Sequence, residues 1–506
     1  MADAFSAAVA AEEGDAGHEV FARAPRKAAA PPSLRQEAWQ LTKLAVPTAV
    51  ANLCEYLPVS FAMWFVGRSR AADAGLDLDA MSLGRSYFNV TCFSVSYGLI
   101  SAMRTLCPQA VGAGKGKELH GLYAQRALCV VAVGALGGCA AIYFAEPVLV
   151  HVLGQKRSLA KLARRYCVGL LPSLAGVSLM TILQRIMTAE GHVVANLAIC
   201  AAVCATAPAW QYVLIERVFG SYVGAAWASS AYNCTYLLLQ VPYLYRCGLG
   251  HVFAPRPLRQ VLDRKGLRDY LGLALPGLIF TTLEWWSMEL VISLGGTRRS
   301  SFSVLGALAT CLTLQAVFEM GWLGLMVGVA VKVGERVGAR DVAAAKRFAA
   351  LGLALAAFIG AVVAAALVAA RHSVARLYAR DAAIVGLAER CVPALAALVF
   401  ADGLNVVVQG ALSGAGLPRV IAYANLFGWY VVAAPVACGL VFGLGLDEAA
   451  APTLLYGCAL ALSASFLVQL RAILRHDWDA SVADARDRLA EASSDDGALD
   501  APLLTS

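Results

Sequence analysis

Five carboxylates stand where a carboxylate is expensive. Glu55, Glu284, Glu289, Glu319 and Asp402 each lie inside a long apolar run. An acid at the centre of a lipid-embedded helix costs roughly 2.5–3.5 kcal/mol on translocon scales, so such residues default to a functional reading. The chemistry open to them is reversible binding: a carboxylate takes either a proton or a cation. No lysine lies at comparable depth, and Arg104 and Arg185 fall near enough to span ends to snorkel. Aromatic residues adjoin the acids: Tyr56 follows Glu55, and Trp285 and Trp286 follow Glu284. A ring face beside a carboxylate can hold an organic cation. The competing structural reading is that the acids hydrogen-bond neighbouring helices and the aromatics simply pack.

Other chemistries find little support. The 14 Cys include no C-x-x-C and mostly sit in apolar runs, as small helix-packing residues do. None of the seven His stands at the centre of an apolar run, so a metal site has no basis. Gly112 to Lys117 has the look of a phosphate loop, but no Ser or Thr follows either lysine and no strand precedes it. It reads as a turn. No catalytic His or Ser cluster points to an embedded enzyme, and no cofactor is implied. With no nucleotide site, an ion gradient is the natural driver, H⁺ first and Na⁺ as the alternative.

The acids must be positioned by membrane helices. Of 506 residues, 59% are hydrophobic and 15% charged, with a mean hydropathy of +0.65. Soluble chains carry about 25% charged residues. A span needs about 20 apolar residues. That rule gives twelve spans, near 44–66, 86–107, 126–146, 166–188, 193–216, 222–245, 269–294, 303–331, 348–370, 391–413, 419–443 and 451–474. Residues 1–43 read as a disordered cytosolic tail, 246–268 as a basic cytosolic linker, and 475–506 as a polar cytosolic tail. With the N-terminus in the cytosol, about 24 Lys/Arg fall on the cytosolic side and about 15 on the other. Both termini are therefore expected in the cytosol, despite five cations between Lys156 and Arg165 on the wrong side. The net charge of +7 then faces lipid headgroups, not nucleic acid. Asn89 and Asn233 begin N-x-T sequences inside spans and read as intramembrane polar residues.

The spans repeat. Pro47, Glu55 and Gly67 match Pro276, Glu284 and Gly296 at an offset of 229. Val111-Gly112-Ala113 matches Val337-Gly338-Ala339 at 226, and Gln184 to Gly191 matches Gln409 to Gly416 at 225. Six spans are thus duplicated into an N-lobe, 44–245, and a C-lobe, 269–474. Six is even, so the repeats are parallel. Secondary transporters built this way bind substrate between their halves near the midplane. By residue counts along spans 7 and 10, Glu284 and Asp402 reach similar depths, about 22 Å and 16 Å from opposite ends.

Several segments resemble the eukaryotic branch of the multidrug and toxin extrusion (MATE) family. They include Ser82 to Thr91 and Thr105 to Ala113, then Leu283-Glu284-Trp285-Trp286-Ser287-Met288-Glu289. Val333 to Ala339, Gln409 to Gly416, and Trp429 to Val432 with Pro435 complete the set. The resemblance covers about residues 38–474. It implies an all-α fold of twelve transmembrane helices in two six-helix lobes, and export of organic, often cationic, compounds against H⁺ or Na⁺. Glu284 and Asp402 fall where the family's C-lobe acids lie. The span 1 Asp of many prokaryotic members is replaced by Ala62, while Glu55 lies seven residues earlier on about the same face.

The expectation is a proton-coupled antiporter of organic cations, xenobiotics or metabolites, working by alternating access. Glu284, Asp402, Glu319, Glu55 and Glu289 couple protons to substrate, and Trp285, Trp286 and Tyr56 line the pocket. Its partners are a small cationic substrate and the bilayer, and it works as a monomer. The alternative is a carrier or flippase for lipid-linked or anionic metabolites, with Na⁺ coupling open; a channel fits the duplicated halves and the buried titratable acids less well. The membrane is the plasma membrane or a vacuolar or other endomembrane. Asp500 to Leu504 has the form of an acidic dileucine sorting signal.

Overall fold

The computed structural model describes residues 33–68, 74–295, 302–378, 382–438 and 450–497. Residues 1–32 and the dileucine-like segment lie outside them. Among the described residues all regular structure is helical. The membrane helices are α1 (Leu34–Gly67), α2 (Gly75–Gly112), α3 (Gly116–Tyr143), α4 (Arg157–Ala189), α5 (Val193–Phe219) and α6 (Val223–Arg246). They continue with α7 (Arg264–Gly295), α8 (Phe302–Gly338), α9 (Val342–Ala369), α10 (Ala382–Ala415), α11 (Pro418–Val436) and α12 (Ala450–Arg475). Ten described stretches within these are apolar and long enough to cross a bilayer. The more polar α6 and α7, with 24 and 32 residues, have the length to do so. Over the described residues each expected span overlaps one of these twelve helices.

The duplication is written into the backbone. The turn after α2 has Gly114 at φ 72° and the turn after α8 has Arg340 at φ 62°; Gly191 after α4 and Gly416 after α10 lie at 87° and 85°. The chain forms two compact units, residues 50–278 with 483–506 and residues 34–49 with 279–482. The divisions after Ala49 and Leu278 are again 229 apart, two residues beyond Pro47 and Pro276. α1 and α7 thus each change unit just past a repeated proline, where a missing backbone N–H loosens the helix.

In the first unit, α2 lies against the start of α7. A Cβ on Gly98 would fall 2.5 Å from Leu278 Cα, and one on Gly277 1.8 Å from Ser101 Oγ. Only glycine allows that approach. Asn89–Phe93 forms a π turn within α2. Asn233 is buried and donates to Ser173 O and Oγ at 3.1 and 2.9 Å, as an intramembrane polar residue should. In the second unit, α10 is the central helix, packed along α8, α9 and α12. Gly403, Gly410 and Gly414 bring its backbone against α8.

Two differences from the sequence reading concern the ends. Helix α1 begins at Leu34, so the last ten residues assigned to the N-terminal tail are helical. The C-terminal segment forms a further helix, α13 (Trp478–Gly497). Its Ser481, Ala485, Leu489 and Ala492 recur at helical spacing and are all buried. Within the second unit Ser481 Oγ donates to Ala415 O at 2.8 Å. Within the first, Lys115 Nζ donates to Leu489 O, and Arg488 to Gln109 Oε1. Trp478 is buried on the same stripe, and because these residues are spaced singly along a polar helix an apolar-run criterion passes over them.

Candidate functional site

The acids of the second unit gather around α10. Asp402 is 3% exposed. Its Oδ2 accepts a hydrogen bond from Gln315 Nε2 of α8 at 2.7 Å. Glu319 lies one turn beyond Gln315 on the same face of α8 and is half-buried. Glu284 of α7 is also half-buried and has interactions of its own. The two charged groups acting on Asp402 are Glu319 and Glu284. Three helices thus bring three carboxylates within electrostatic reach in one unit. Glu289 lies further along α7, outside the described side chains. Trp285 is half-buried, Trp286 is 49% exposed, and both make contacts.

Glu55 belongs to the first unit and has a different setting. Its Oε1 accepts from Gln184 Nε2 at 2.6 Å and from Cys200 Sγ at 3.4 Å. Gln184 also donates to Tyr236 Oη at 2.8 Å, and that hydroxyl donates to Asn196 Oδ1 at 2.8 Å. Four helices, α1, α4, α5 and α6, are thereby tied to one carboxylate. Arg185 does not simply snorkel away: its Nε is buried and its charge acts on Glu55 and Tyr97. The expected absence of a basic neighbour therefore fails for Glu55. Tyr56 is half-buried beside it in sequence and makes contacts too. Ala62 is buried in the first unit's core.

Two features were missed in the sequence. One is the His120–Glu190 pair at the turn after α4. His120 of α3 is fully buried, with Nδ1 3.1 Å from Glu190 Oε1. Burial pushes the Glu190 carboxyl up, but His120, with His192 and His251 beyond it, outweighs this and holds it below its ordinary 4.5. A lowered carboxyl stabilises the fold above its unfolded pKa and loses that contribution as pH falls through the lower folded value. Glu190→Gln is therefore expected to cost about 1.5–3 kcal/mol at neutral pH. Melting of the two proteins in detergent should converge at pH well below 4.5; a gap that persists there would contradict the pair's role. The other missed feature is a cleft lined by Arg126, Asp263, Lys265, Asp269, Arg488 and Glu491. Its three cations balance three carboxylates, and it contains none of the intramembrane acids.

Among the described residues no cluster of His, Cys, Asp and Glu has the geometry of a metal site, and thirteen cysteines are free. Titratable groups thus stand inside helical membrane units, and both Asp402 and Glu55 accept a hydrogen bond from a neutral glutamine amide.

Comparison with known proteins agrees with the architecture. The MatE family profile matches residues 47–210 and 276–438, one segment in each half. Protein DETOXIFICATION 51 of Arabidopsis thaliana is 30% identical over 419 residues, covering 81% of this chain and 76% of the relative. Multidrug and toxin extrusion protein 2 of Mus musculus is 27% identical, covering 90% of this chain and 78% of its own length. The crystal structure of the eukaryotic MATE transporter AtDTX14 matches with a TM-score of 0.81 at 21% identity, over 90% of this chain and 99% of that one. That twelve-helix match bears out the fold of two parallel six-helix repeats. The chain belongs to the MatE family: it is a eukaryotic-type, multi-pass membrane transporter of the multidrug and toxin extrusion class, and not an enzyme.

Proposed function

We propose that this transporter is a proton-coupled antiporter that exports organic cations. The supporting observation is the carboxylate cluster of Asp402, Glu319 and Glu284, in which the charges acting on the buried Asp402 are both negative. Such a cluster attracts one positive charge strongly and holds it either as a proton or as a cation. Glu284 and Asp402 are the primary coupling residues, with Glu319 and Glu289 adjoining them. Glu55 is a separate titratable site in the first unit. Trp285, Trp286 and Tyr56 supply ring faces for an organic cation.

In the working cycle the ionised acids take the cation from the cytosolic side. The protein then opens to the other side, where protonation neutralises the acids and discharges the cation. Export against a gradient requires that proton and cation compete for the same carboxylates, since a ligand shifts a conformational equilibrium only through its differential affinity. The loop-charge asymmetry supports a topology with both termini in the cytosol. The remaining assignments of this reading are a monomer, and residence in the plasma membrane or a vacuolar or other endomembrane. Residues 44–245 and 269–474 serve as its N-lobe and C-lobe, joined by the basic linker 246–268 and flanked by the tails.

Uptake of ethidium into proteoliposomes under an imposed pH gradient tests the assignment. Glu284→Gln is expected to abolish driven uptake while the protein still expresses and elutes as a single species. Normal uptake by that variant would remove Glu284 from the coupling site. Transport of anionic or lipid-linked compounds, with ethidium inert, would favour a carrier of the same fold for that cargo.

A further inference from the structure

Below Asp402, helix α10 carries a continuous line of polar side chains. Asp402, Asn405, Gln409 and Ser413 are spaced three, four and four residues apart, so they share one stripe of the helix. All four are at least nine-tenths buried. The stripe extends onto its neighbours. Gln469 of α12 donates to Asn405 Oδ1 and to Ser465 Oγ, both at 2.9 Å. Ser465 in turn donates to Asn425 Oδ1 of α11 at 2.8 Å. Asn405, Asn425, Ser465 and Gln469 have no exposed surface at all.

This network is incomplete in one specific way. Asn405 Nδ2, Gln409 Nε2, Asn425 Nδ2 and Gln469 Oε1 are buried and meet no protein partner, as is Gln315 Oε1 beside Asp402. Buried polar atoms in native proteins are satisfied by protein or by internal water. Several orphaned atoms grouped around one stripe make an aqueous file the physical solution. The internal repeat supplies a comparison. At the offset of 225 that relates α4 to α10, the positions of Asp402 and Asn405 are held by Val177 and Met180, both buried and apolar. The stripe of α10 is therefore polar at two positions next to the three-carboxylate cluster where its α4 counterpart is apolar, while Gln409 and Ser413 have the polar counterparts Gln184 and Thr188.

We infer that these side chains hold a file of internal water along which Asp402 releases its proton to the α13 end of α10. The distance from Asp402 to Ser413 is about 16 Å along the helix. There Ser481 bonds Ala415 O, and the half-buried His476 lies 2.7 Å from Ser481 Oγ. In the transfer the carboxyl O–H bond breaks and an O–H bond forms on the adjacent water. Each water passes on one of its own protons, so one proton emerges at the far end and a carboxylate remains at Asp402. The amides and hydroxyls position the waters and do not themselves change protonation. The inference rests on the proton-coupled reading above and adds its cytosolic exit: the proton leaves through the interior of one unit.

Gln409→Met is the decisive variant, because it keeps the side-chain length and removes only the polar end. Asn405→Leu is the second. Two activities are compared in proteoliposomes: ethidium uptake driven by a pH gradient, and exchange of ethidium for ethidium at equal pH, which needs no net proton release. We expect driven uptake to fall at least tenfold in either variant while exchange stays within twofold of the unsubstituted protein. Equal driven uptake in a folded Gln409→Met protein overturns the water file. If exchange falls in parallel with driven uptake, the residues serve only packing and the inference fails. If the unsubstituted protein shows no pH-driven uptake, the coupling itself is wrong; that outcome is read without any variant, so the two failures are distinguishable. Should Asn405→Leu not fold, Gln409→Met alone decides.

Discussion

Asp402→Asn is expected to lose driven transport of organic cations altogether, falling at least about tenfold toward the level of protein-free liposomes, a loss of about 1.4 kcal/mol or more. The substitution changes little else. Asparagine retains an oxygen that accepts the Gln315 hydrogen bond now made at 2.7 Å. What disappears is the capacity to alternate between a charged and a neutral form. Glu319 and Glu284 remain in place, so a cation is still attracted to the site, but one of the groups from which a proton displaces it is gone. Asp402→Glu is expected to retain measurable transport, because the titratable group survives on a longer arm. A fully active Asp402→Asn protein would show that the coupling acid lies elsewhere, with Glu55 the next candidate.

The second large effect is structural. Gly410→Leu is expected to destabilise the second unit by about 3 kcal/mol or more. A Cβ at that position already falls 2.4 Å from the carbonyl oxygen of Met326 and 3.0 Å from its Cγ. The nearest atom belongs to the α8 backbone, which cannot rotate out of the way. Gly386 on the same helix has nothing within 4 Å, so Gly386→Leu is the matched control and should melt like the unsubstituted protein. Melting temperature and elution profile in detergent distinguish them. Equal stability of the two variants would mean that α8 and α10 are not packed through this glycine face. The point bears on function because α8 carries Gln315 and Glu319 and α10 carries Asp402. The same close packing that excludes a Cβ sets the spacing of the carboxylates.

Much of this was legible in the sequence, for physical reasons. An acid inside an apolar run is conspicuous, because its cost in lipid leaves few accidental examples. The equal Pro-to-Glu spacing in spans 1 and 7 identified the duplication, and the backbone divides at equivalent points after each proline. The positive-φ turns after α2, α4, α8 and α10 show that the short Val-Gly-Ala and Gln-to-Gly matches mark real turns. What hydropathy could not register was specific pairing. Arg185 counted as a snorkelling cation because its span ends nearby, yet its charge acts on Glu55. His120 escaped notice because it sits at the end of a span, and its partner Glu190 is seventy residues away in sequence. Helix α13 docks through Trp478, Ser481, Ala485, Leu489 and Ala492, a spaced face that contains no apolar run long enough to stand out. The stripe from Asp402 to Ser413 had a readable signal, polar residues at helical spacing within an apolar span, but its extension through Gln469, Ser465 and Asn425 depends on tertiary packing.

The central claim is that protons drive organic-cation export. It is tested most directly by loading purified, unsubstituted protein into liposomes and measuring ethidium uptake under a pH gradient, then repeating the measurement under a sodium gradient at equal pH. The account predicts uptake with the interior acidic, collapse of that uptake when the pH gradient is dissipated, and none above protein-free liposomes with sodium alone. Uptake driven by sodium and indifferent to pH would contradict it.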